Sequence, residues 1–235
     1  MYILKCNHGL SGWSITELMV VIGMVSMLSG MGLAALKEVH KMGDGVQCIS
    51  NLRQLSVAFQ LYAESHDDYL PYPNDAYGYA GTWFNALDPY LVGRKAGVSN
   101  AVQNLHFVKQ DPIIKKLGPS WFSNAYTLKM NQRLGENASG EDCFYRMGEL
   151  TQPASTVLLF DGRAETEKLA SGGPAALAKN PQGTEGFVAR RHFNGAHILF
   201  VSGHVERRVE KQQANGGLGW AIDETRMIWK PWIAP

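Results

Sequence analysis

The sequence predicts an α+β protein in which one long N-terminal helix packs on a C-terminal antiparallel β-sheet. Three patterns lead to this expectation: an uncharged apolar run near the N-terminus, an amphipathic helical pattern directly after it, and hairpin patterns late in the chain. The helix is expected over roughly residues 14–64. We expect residues 13–36 to form its membrane half, 37–65 its soluble half, and 66–235 a β-rich globular domain.

The apolar run has the length of a membrane span. No charged residue lies between Leu18 and Leu36. As a helix this stretch extends roughly 28 Å, close to the hydrocarbon thickness of a bilayer. It has no polar stripe, unlike a core helix, and it exceeds the ~7–15 residues of a signal-peptide apolar region. A retained helix is therefore expected, and a signal peptide cut after Ala34 is the alternative.

Small residues recur at every fourth position of this run, at Ser26, Gly30 and Ala34. On a helix these positions form a flat strip against which another helix can pack closely. We expect this strip to take part in assembly with other membrane helices.

Glu17 lies at the entrance of the apolar run, where a charge needs a partner. The same helix offers no nearby cation, since Lys37 is distant in sequence. The partner is therefore external, or it is created by processing. A cut after Gly12 would place a new amine on Trp13, four residues before Glu17 and on the same helix face.

The stretch GWSITE, residues 12–17, followed by the apolar run resembles the processing site of type IV prepilins and type II secretion pseudopilins. The resemblance implies a pilin-like fold and a leader, residues 1–12, that is removed by a prepilin peptidase. It also implies that the peptidase methylates Trp13 and that Glu17 guides subunits into a filament. Two departures are Trp instead of the usual Phe at residue 13 and a leader poor in Lys and Arg.

The resemblance implies a structural subunit of a type II secretion or type IV pilus-like filament, without a cofactor or an enzymatic activity. Its partners would be the peptidase, other pseudopilin subunits and an inner-membrane assembly platform. The chain would cross the bacterial inner membrane once, with its C-terminal domain in the periplasm. One alternative is a membrane-anchored extracytoplasmic binding module whose aromatic loops in 72–130 contact glycan or another surface polymer. A third is an anchored enzyme, which requires a pocket that gathers Asp161 with at least two histidines.

The soluble half of the helix shows an apolar face at spacings of three and four. That face comprises Val46, Ile49, Leu52, Leu55, Phe59 and Tyr62, and the polar face carries Asn51, Arg53, Gln54 and Gln60. Gly43 and Gly45 indicate a kink or hinge. The stretch from Cys48 to Pro71 is similar to a helix-end block in a pseudopilin-like group of bacterial proteins. The acidic residues near Asp67 lack the spacing of an EF-hand loop, so a solvated helix end is favoured over a cation site.

The later sequence predicts short elements joined by many turns. A helix is expected near 82–91, a short strand near 123–129, an exposed insertion at 164–180 and a strand within 155–162. Residues 186–210 predict a three-stranded meander with two-residue turns at Asn194-Gly195, of type I′, and at Ser202-Gly203. This meander is expected to bury one face against the amphipathic helix.

His192, the nine residues after it and Ser202-Gly203 partly match a His-x9-Asp-Gly signature of prepilin-like proteins, with Ser in place of Asp. The spacing favours hairpin geometry rather than an active site, and the role of the signature stays open.

A metal cluster is one interpretation of Asp161, His192, His197 and His204, and separate structural roles are the other. A two-residue turn at Ser202-Gly203 would place Val201 opposite His204, so that His197 and His204 do not meet. Since a lone histidine in a strand is more often structural, no metal site is predicted.

Composition adds three expectations. The net charge of +1 gives no indication of nucleic-acid binding. Four arginines, at 190, 191, 207 and 208, are expected to form a solvated basic surface. Cys48 and Cys143 are expected either to form one disulfide in an oxidising compartment or to be buried free thiols.

Overall fold

The computed structural model describes residues 12–73, 82–91, 107–109, 111–115, 127–162, 182–183, 188–209, 211–212, 218–219 and 228–231. The chain divides into two compact units, Met1–Gly43 and Asp44–Pro235. The described residues comprise a long N-terminal helix and a mainly antiparallel sheet, so the coarse prediction of an α+β fold is confirmed.

Helix α1 extends from Ile15 to Ser65, within one residue of the predicted bounds at each end. The helix continues through Gly43 and Gly45, so these glycines do not end it. Within the first unit, one stretch of α1, Ile15–Gly32, is long and apolar enough to cross a membrane, and none of it is buried.

Within the second unit, α1 buries one face in the core. The buried apolar residues of this face are Cys48, Leu52, Leu55, Ala58, Phe59 and Ala63. Two predictions about the faces are wrong: Val46 is exposed and Asn51 is buried. The buried stripe begins at Cys48 and continues through Leu52 and Leu55, and Val46 does not lie on the line of these positions.

Four strands form the antiparallel part of the main sheet, and a two-residue strand pairs parallel at one edge. The strands are β1 (Leu128–Asn131), β2 (Val157–Asp161), β3 (Gln182–Gly183), β4 (Gly195–Phe200) and β5 (Val205–Val209), in the spatial order β3-β1-β2-β4-β5. A separate antiparallel pair consists of β6 (Lys211–Gln212) and β7 (Leu218–Gly219). Short helices α2 (Trp83–Ala86) and α3 (Pro112–Lys115) and four 3-10 turns, Asp88–Tyr90, Phe107–Lys109, Gln132–Gly135 and Met147–Glu149, complete the described elements.

Two apolar clusters include residues of the sheet. The first joins α1 residues such as Leu55 and Phe59 to Leu128, Leu159 and Leu199 of the strands. The second includes Val157, Phe160, Val188, Ala196, Ile198, Phe200 and Trp229. The part of α1 that lies in the second unit therefore packs on an antiparallel sheet, as predicted for the soluble half of the helix.

The predicted three-stranded meander is wrong in its first strand. Strand β4 pairs with β5 on one side and with β2 on the other. Residues 188–194, the described part of the segment before β4, form no strand but make isolated bridges between Val188 and Gly162 and between His192 and Gly195. Strand β2 takes the place beside β4 that was predicted for the segment before β4. Every residue of β2 is buried, as is typical of a central strand of a sheet.

Both turns that flank β4 differ from the predicted ones. The first turn is centred on Phe193 and Asn194, with φ of 51° and 59°, one residue earlier than expected. Gly195 begins β4, where a Cβ atom would lie 2.5 Å from the carbonyl oxygen of Arg208. A side chain at this position would therefore force the two strands apart.

The second turn has three residues, 201–203, instead of two. The Phe200 N–H donates to the His204 carbonyl at 3.0 Å, and Gly203 has a φ of 88°. His197 therefore faces Arg207 across the hairpin. The predicted pairing of Val201 with His204 is wrong because the glycine at positive φ adds a residue to the loop.

The other predicted elements are found in part. The helix near 82–91 is present as α2 and the turn Asp88–Tyr90. The strand near 123–129 overlaps β1 at residues 128 and 129, and residues 123–126 lie outside the described residues. The insertion at 164–180 and most of the loops in 72–130 lie outside the described residues.

Candidate functional site

The described residues contain a buried cluster of metal-ligating side chains. It consists of Cys48 on the buried face of α1, Asp161 at the end of β2, His192 in the turn before β4 and His197 within β4. One ligand atom from each residue lies within 4.8 Å of all the others. The exposed fractions of these residues are only 1%, 0%, 2% and 2%, so the cluster is enclosed by protein.

Asp161 lies at the centre of this cluster. The Cys48 thiol donates to Asp161 Oδ1 at 3.3 Å, and the His197 backbone N–H donates to Asp161 Oδ2 at 2.7 Å. The same oxygen lies 3.4 Å from His192 Nε2 and 3.4 Å from His197 Nδ1. The two imidazole rings are 4.2 Å apart between centroids.

Asp111 and Arg191 form a second layer behind His192. His192 Nε2 lies 3.0 Å from Asp111 Oδ2, which also accepts a hydrogen bond from Arg191 Nε at 2.8 Å. Arg191 also donates to the carbonyl oxygens of Gly162 and Thr127. The expectation that Arg191 belongs to a solvated basic surface is wrong, since its side chain is buried in this ion pair.

Two further hydrogen bonds fix the position of Asp111. Its Oδ1 accepts from the Ile113 N–H at 2.8 Å, and its backbone N–H donates to Thr127 Oγ1 at 2.7 Å. Burial raises the pKa of Asp111, but the Arg191 guanidinium and the His192 contact outweigh it and lower that pKa below its usual range. Asp111 is therefore an ionised acceptor that fixes the orientation of the His192 ring.

Burial and charge set the protonation of the remaining groups. Burial lowers the pKa of His192, but the hydrogen bond to Asp111 and the Asp161 charge reverse this and raise it. Burial and then the Asp161 charge raise the pKa of the Cys48 thiol well above its usual range. Burial, with a smaller contribution from Arg191, lowers the pKa of Lys129 to about 7.

Two ring nitrogens in the cluster have no hydrogen-bond partner within the described part of the chain. They are Nδ1 of His192 and Nδ1 of His197, and both are buried. Buried polar atoms are almost always paired, so an unpaired one calls for an explanation. Gly45 of α1 lies beside them, since a Cβ there would be 3.8 Å from His192 Nδ1.

The structure gathers Asp161 with two histidines, as the enzyme interpretation requires, but the described residues enclose these side chains instead of lining a pocket. The chemistry of the cluster also argues against a nucleophilic cysteine. Its raised pKa keeps the Cys48 thiol protonated, and its burial closes it to substrate. The arrangement suits the binding of an ion better than covalent catalysis.

Of the three histidines considered for a metal cluster, His204 lies outside it. Its Nδ1 lies 2.7 Å from Ser202 Oγ, and its ring stacks on Phe200. Sequence reasoning thus named Asp161, His192 and His197 but missed Cys48, Asp111 and Arg191. Cys48 was not part of the predicted apolar face, although it lies four residues before Leu52, a spacing that would have placed it on the buried stripe.

The three residues of the His-x9-Asp-Gly resemblance do not form one site. His192 belongs to the buried cluster, while Ser202 and Gly203 lie beyond the other end of β4. A Cβ at residue 203 would lie 2.8 Å from Ser56 Oγ, so glycine serves the turn and its packing.

Both described cysteines are free thiols, so the disulfide between Cys48 and Cys143 is not formed. Cys48 is buried and bonded to Asp161, whereas Cys143 is partly exposed, with its Sγ 3.8 Å from the Phe144 carbonyl oxygen. The alternative of two buried free thiols holds for Cys48 alone.

The residues of the proposed processing site lie at the start of α1. Gly12 and Trp13 precede the helix and are exposed, and Glu17 lies in its first turn. Glu17 Oε2 accepts a hydrogen bond from the Ser14 N–H at 2.9 Å. Ser26 Oγ donates to the Ile22 carbonyl oxygen, and a Cβ at Gly30 would meet no atom within 4 Å. The Ala34 side chain lies outside the described residues.

The acidic residues after α1 serve the local loop. Asp67 and Asp68 both have positive φ, and Asp68 Oδ2 accepts from the Gly148 N–H at 2.7 Å. This bond ties the end of the helix to the turn Met147–Glu149.

Comparison of the chain with protein-family models, with curated proteins and with solved structures finds no match.

Proposed function

We propose that this chain is a pseudopilin-like structural subunit of a type II secretion or type IV pilus-like filament, anchored in the bacterial inner membrane. The observation that carries the proposal is the exposed apolar stretch Ile15–Gly32, which begins with a carboxylate in its first turn. The chain is then processed after Gly12 by a prepilin peptidase, and its C-terminal domain is periplasmic.

The exposure of this stretch supports a lipid or helical environment. Large side chains such as Leu18, Met24 and Leu28 are more than half exposed. Each such side chain loses roughly 1.5–3 kcal/mol when it stays in water instead of apolar surroundings. A contiguous apolar surface of this size marks a membrane or an interface with other proteins.

The position of Glu17 supports a role in assembly. Its carboxylate already contacts the backbone N–H of Ser14, one residue after the proposed new terminus. The positive end of the helix dipole also favours a carboxylate there. After the cut, the Trp13 amine of the same subunit or of a neighbour becomes a full positive partner within the apolar region, where an unpaired charge is costly.

Mass spectrometry of the mature protein tests the processing step. We expect an amino terminus at Trp13 that carries one methyl group. A terminus after Ala34, or an intact chain, would exclude the prepilin interpretation.

Substitution of Glu17→Gln tests the assembly role while it preserves the shape of the side chain. We expect cross-linked oligomers of the subunit in membranes to be lost. Glu38→Gln is the matched control, because Glu38 is also exposed on α1 and its carboxylate pairs with Lys41 at 3.4 Å. Equal assembly of both variants would contradict the proposed role of Glu17.

A further inference from the structure

We infer that Cys48, Asp161, His192 and His197 bind one Zn²⁺ ion, which cross-links helix α1 to the sheet within the second unit. This inference does not rest on the proposed function, since every ligand lies in Asp44–Pro235 and none takes part in processing or assembly.

The ligand set matches the chemistry of zinc. Zn²⁺ is bound by thiolate, imidazole and carboxylate groups and takes four ligands in structural sites. A thiolate ligand disfavours magnesium, calcium and manganese, which prefer oxygen. Four protein ligands with almost no exposure leave no open position, so the site is structural rather than catalytic.

The distances around Asp161 fit such a centre. Ligand atoms at ~2.0–2.3 Å from a tetrahedral Zn²⁺ lie roughly 3.3–3.8 Å from one another. Two contacts of Asp161 join proposed ligand atoms: Oδ1 lies 3.3 Å from Cys48 Sγ, and Oδ2 lies 3.4 Å from His197 Nδ1. The greatest separation in the set, 4.8 Å, closes with side-chain rotations of the kind that ion binding causes.

Asp111 gives His192 the arrangement typical of a metal-bound histidine. A ligating imidazole usually donates its second ring N–H to a carboxylate, which fixes the ring and raises its basicity. His192 Nε2 contacts Asp111 at 3.0 Å, and Nδ1 has no partner in the described residues. The ion therefore binds His192 through Nδ1, with Asp111 as a positioning residue that Arg191 holds in place.

The charges around the ion balance when it is bound. Zn²⁺ neutralises the Cys48 thiolate and the Asp161 carboxylate, while Arg191 neutralises Asp111. Binding forms one metal–sulfur bond as the thiol proton leaves to solvent, and no electron is transferred. A neutral centre is the form of a buried charge cluster that costs least.

Metal analysis of the full chain tests the inference directly. The protein is purified in detergent with Cys6 replaced by serine, stripped with a chelator and reloaded with Zn²⁺. We expect one equivalent of zinc per chain. X-ray absorption of the loaded wild-type site should show one sulfur and three nitrogen or oxygen neighbours, a result that depends on no ligand variant.

Cobalt binding distinguishes Cys48 from Cys143, the two cysteines that remain after Cys6 is replaced. Co²⁺ in the site should show a thiolate-to-cobalt absorption band that Cys143→Ser retains and Cys48→Ser loses. His197→Gln should weaken zinc binding at least tenfold, and His204→Gln should not change it. Zinc content below about a tenth of an equivalent, a shell without sulfur, or a band lost in Cys143→Ser instead would overturn the inference.

Discussion

Two halves of one helix differ in what surrounds them, although both are regular and both contain many apolar residues. In Ile15–Gly32 the apolar side chains are exposed all around the helix. From Cys48 to Ala63 they are confined to one face, and that face is buried. The comparison teaches that periodicity, rather than apolar content, decides whether a helix requires a protein partner or an apolar solvent.

The largest expected effect comes from the buried face of the second half. Leu55 is 0% exposed and Leu61 is 41% exposed, and both belong to the same stretch of α1. Leu55→Ala should lower the free energy of unfolding by about 2–5 kcal/mol because it leaves a cavity in the core. Leu61→Ala should cost less than about 1 kcal/mol. Urea titration of both variants measures the difference, and equal losses would show that the helix does not pack as described.

The next prediction compares two valines that are similarly exposed, one in the expected membrane half of α1 and one in its soluble half. Val25 and Val57 are exposed to similar extents, 56% and 53%, in the two halves of α1. Val25→Arg should reduce membrane insertion by about 2.5–3.5 kcal/mol, since an arginine at the centre of a span is expensive. Val57→Arg should leave insertion unchanged. Fractionation of cells that express each variant measures how much protein is in the membrane fraction. Equal amounts of both variants there would argue against a membrane role for the first half of α1.

The smallest expected effect concerns the sheet that receives the second half. Gly195→Ala should cost about 1–3 kcal/mol, because the new methyl group would lie 2.5 Å from the Arg208 carbonyl oxygen. Gly43→Ala is the contrast, since a Cβ there meets nothing within 4 Å and alanine favours a helix. Thermal unfolding of both variants should show a loss for the first and none for the second.

Prediction from sequence succeeded where the determining contacts are local. The bounds of α1 and the strands β2, β4 and β5 follow from patterns that a helix or strand imposes on nearby residues. Prediction failed at the phase of the buried helix face, where Val46 was included and Asn51 excluded, and at the turns beside β4. In those turns a difference of one residue in position or length changes which side chains face each other across the strands that follow.

The site was predicted less well than the fold, because both strands that contribute to it are buried along their whole length. Complete burial removes the alternation that would have indicated which histidines point to the same side. The absence of Cys48 from the predicted cluster has a different cause, because its thiol contacts a carboxylate 113 residues away in the sequence.

The sequence by itself determined that this protein has a long helix with an apolar half, an amphipathic half and a sheet made from the second half of the chain. These properties depend on hydrophobic periodicity, which acts between neighbours a few residues apart. Only the tertiary structure decided that β2 lies beside β4 and that Cys48, Asp161, His192 and His197 share one enclosed site. Strand order and side-chain convergence depend on contacts between distant segments, and these are selected by the packing of the whole core rather than by any local pattern.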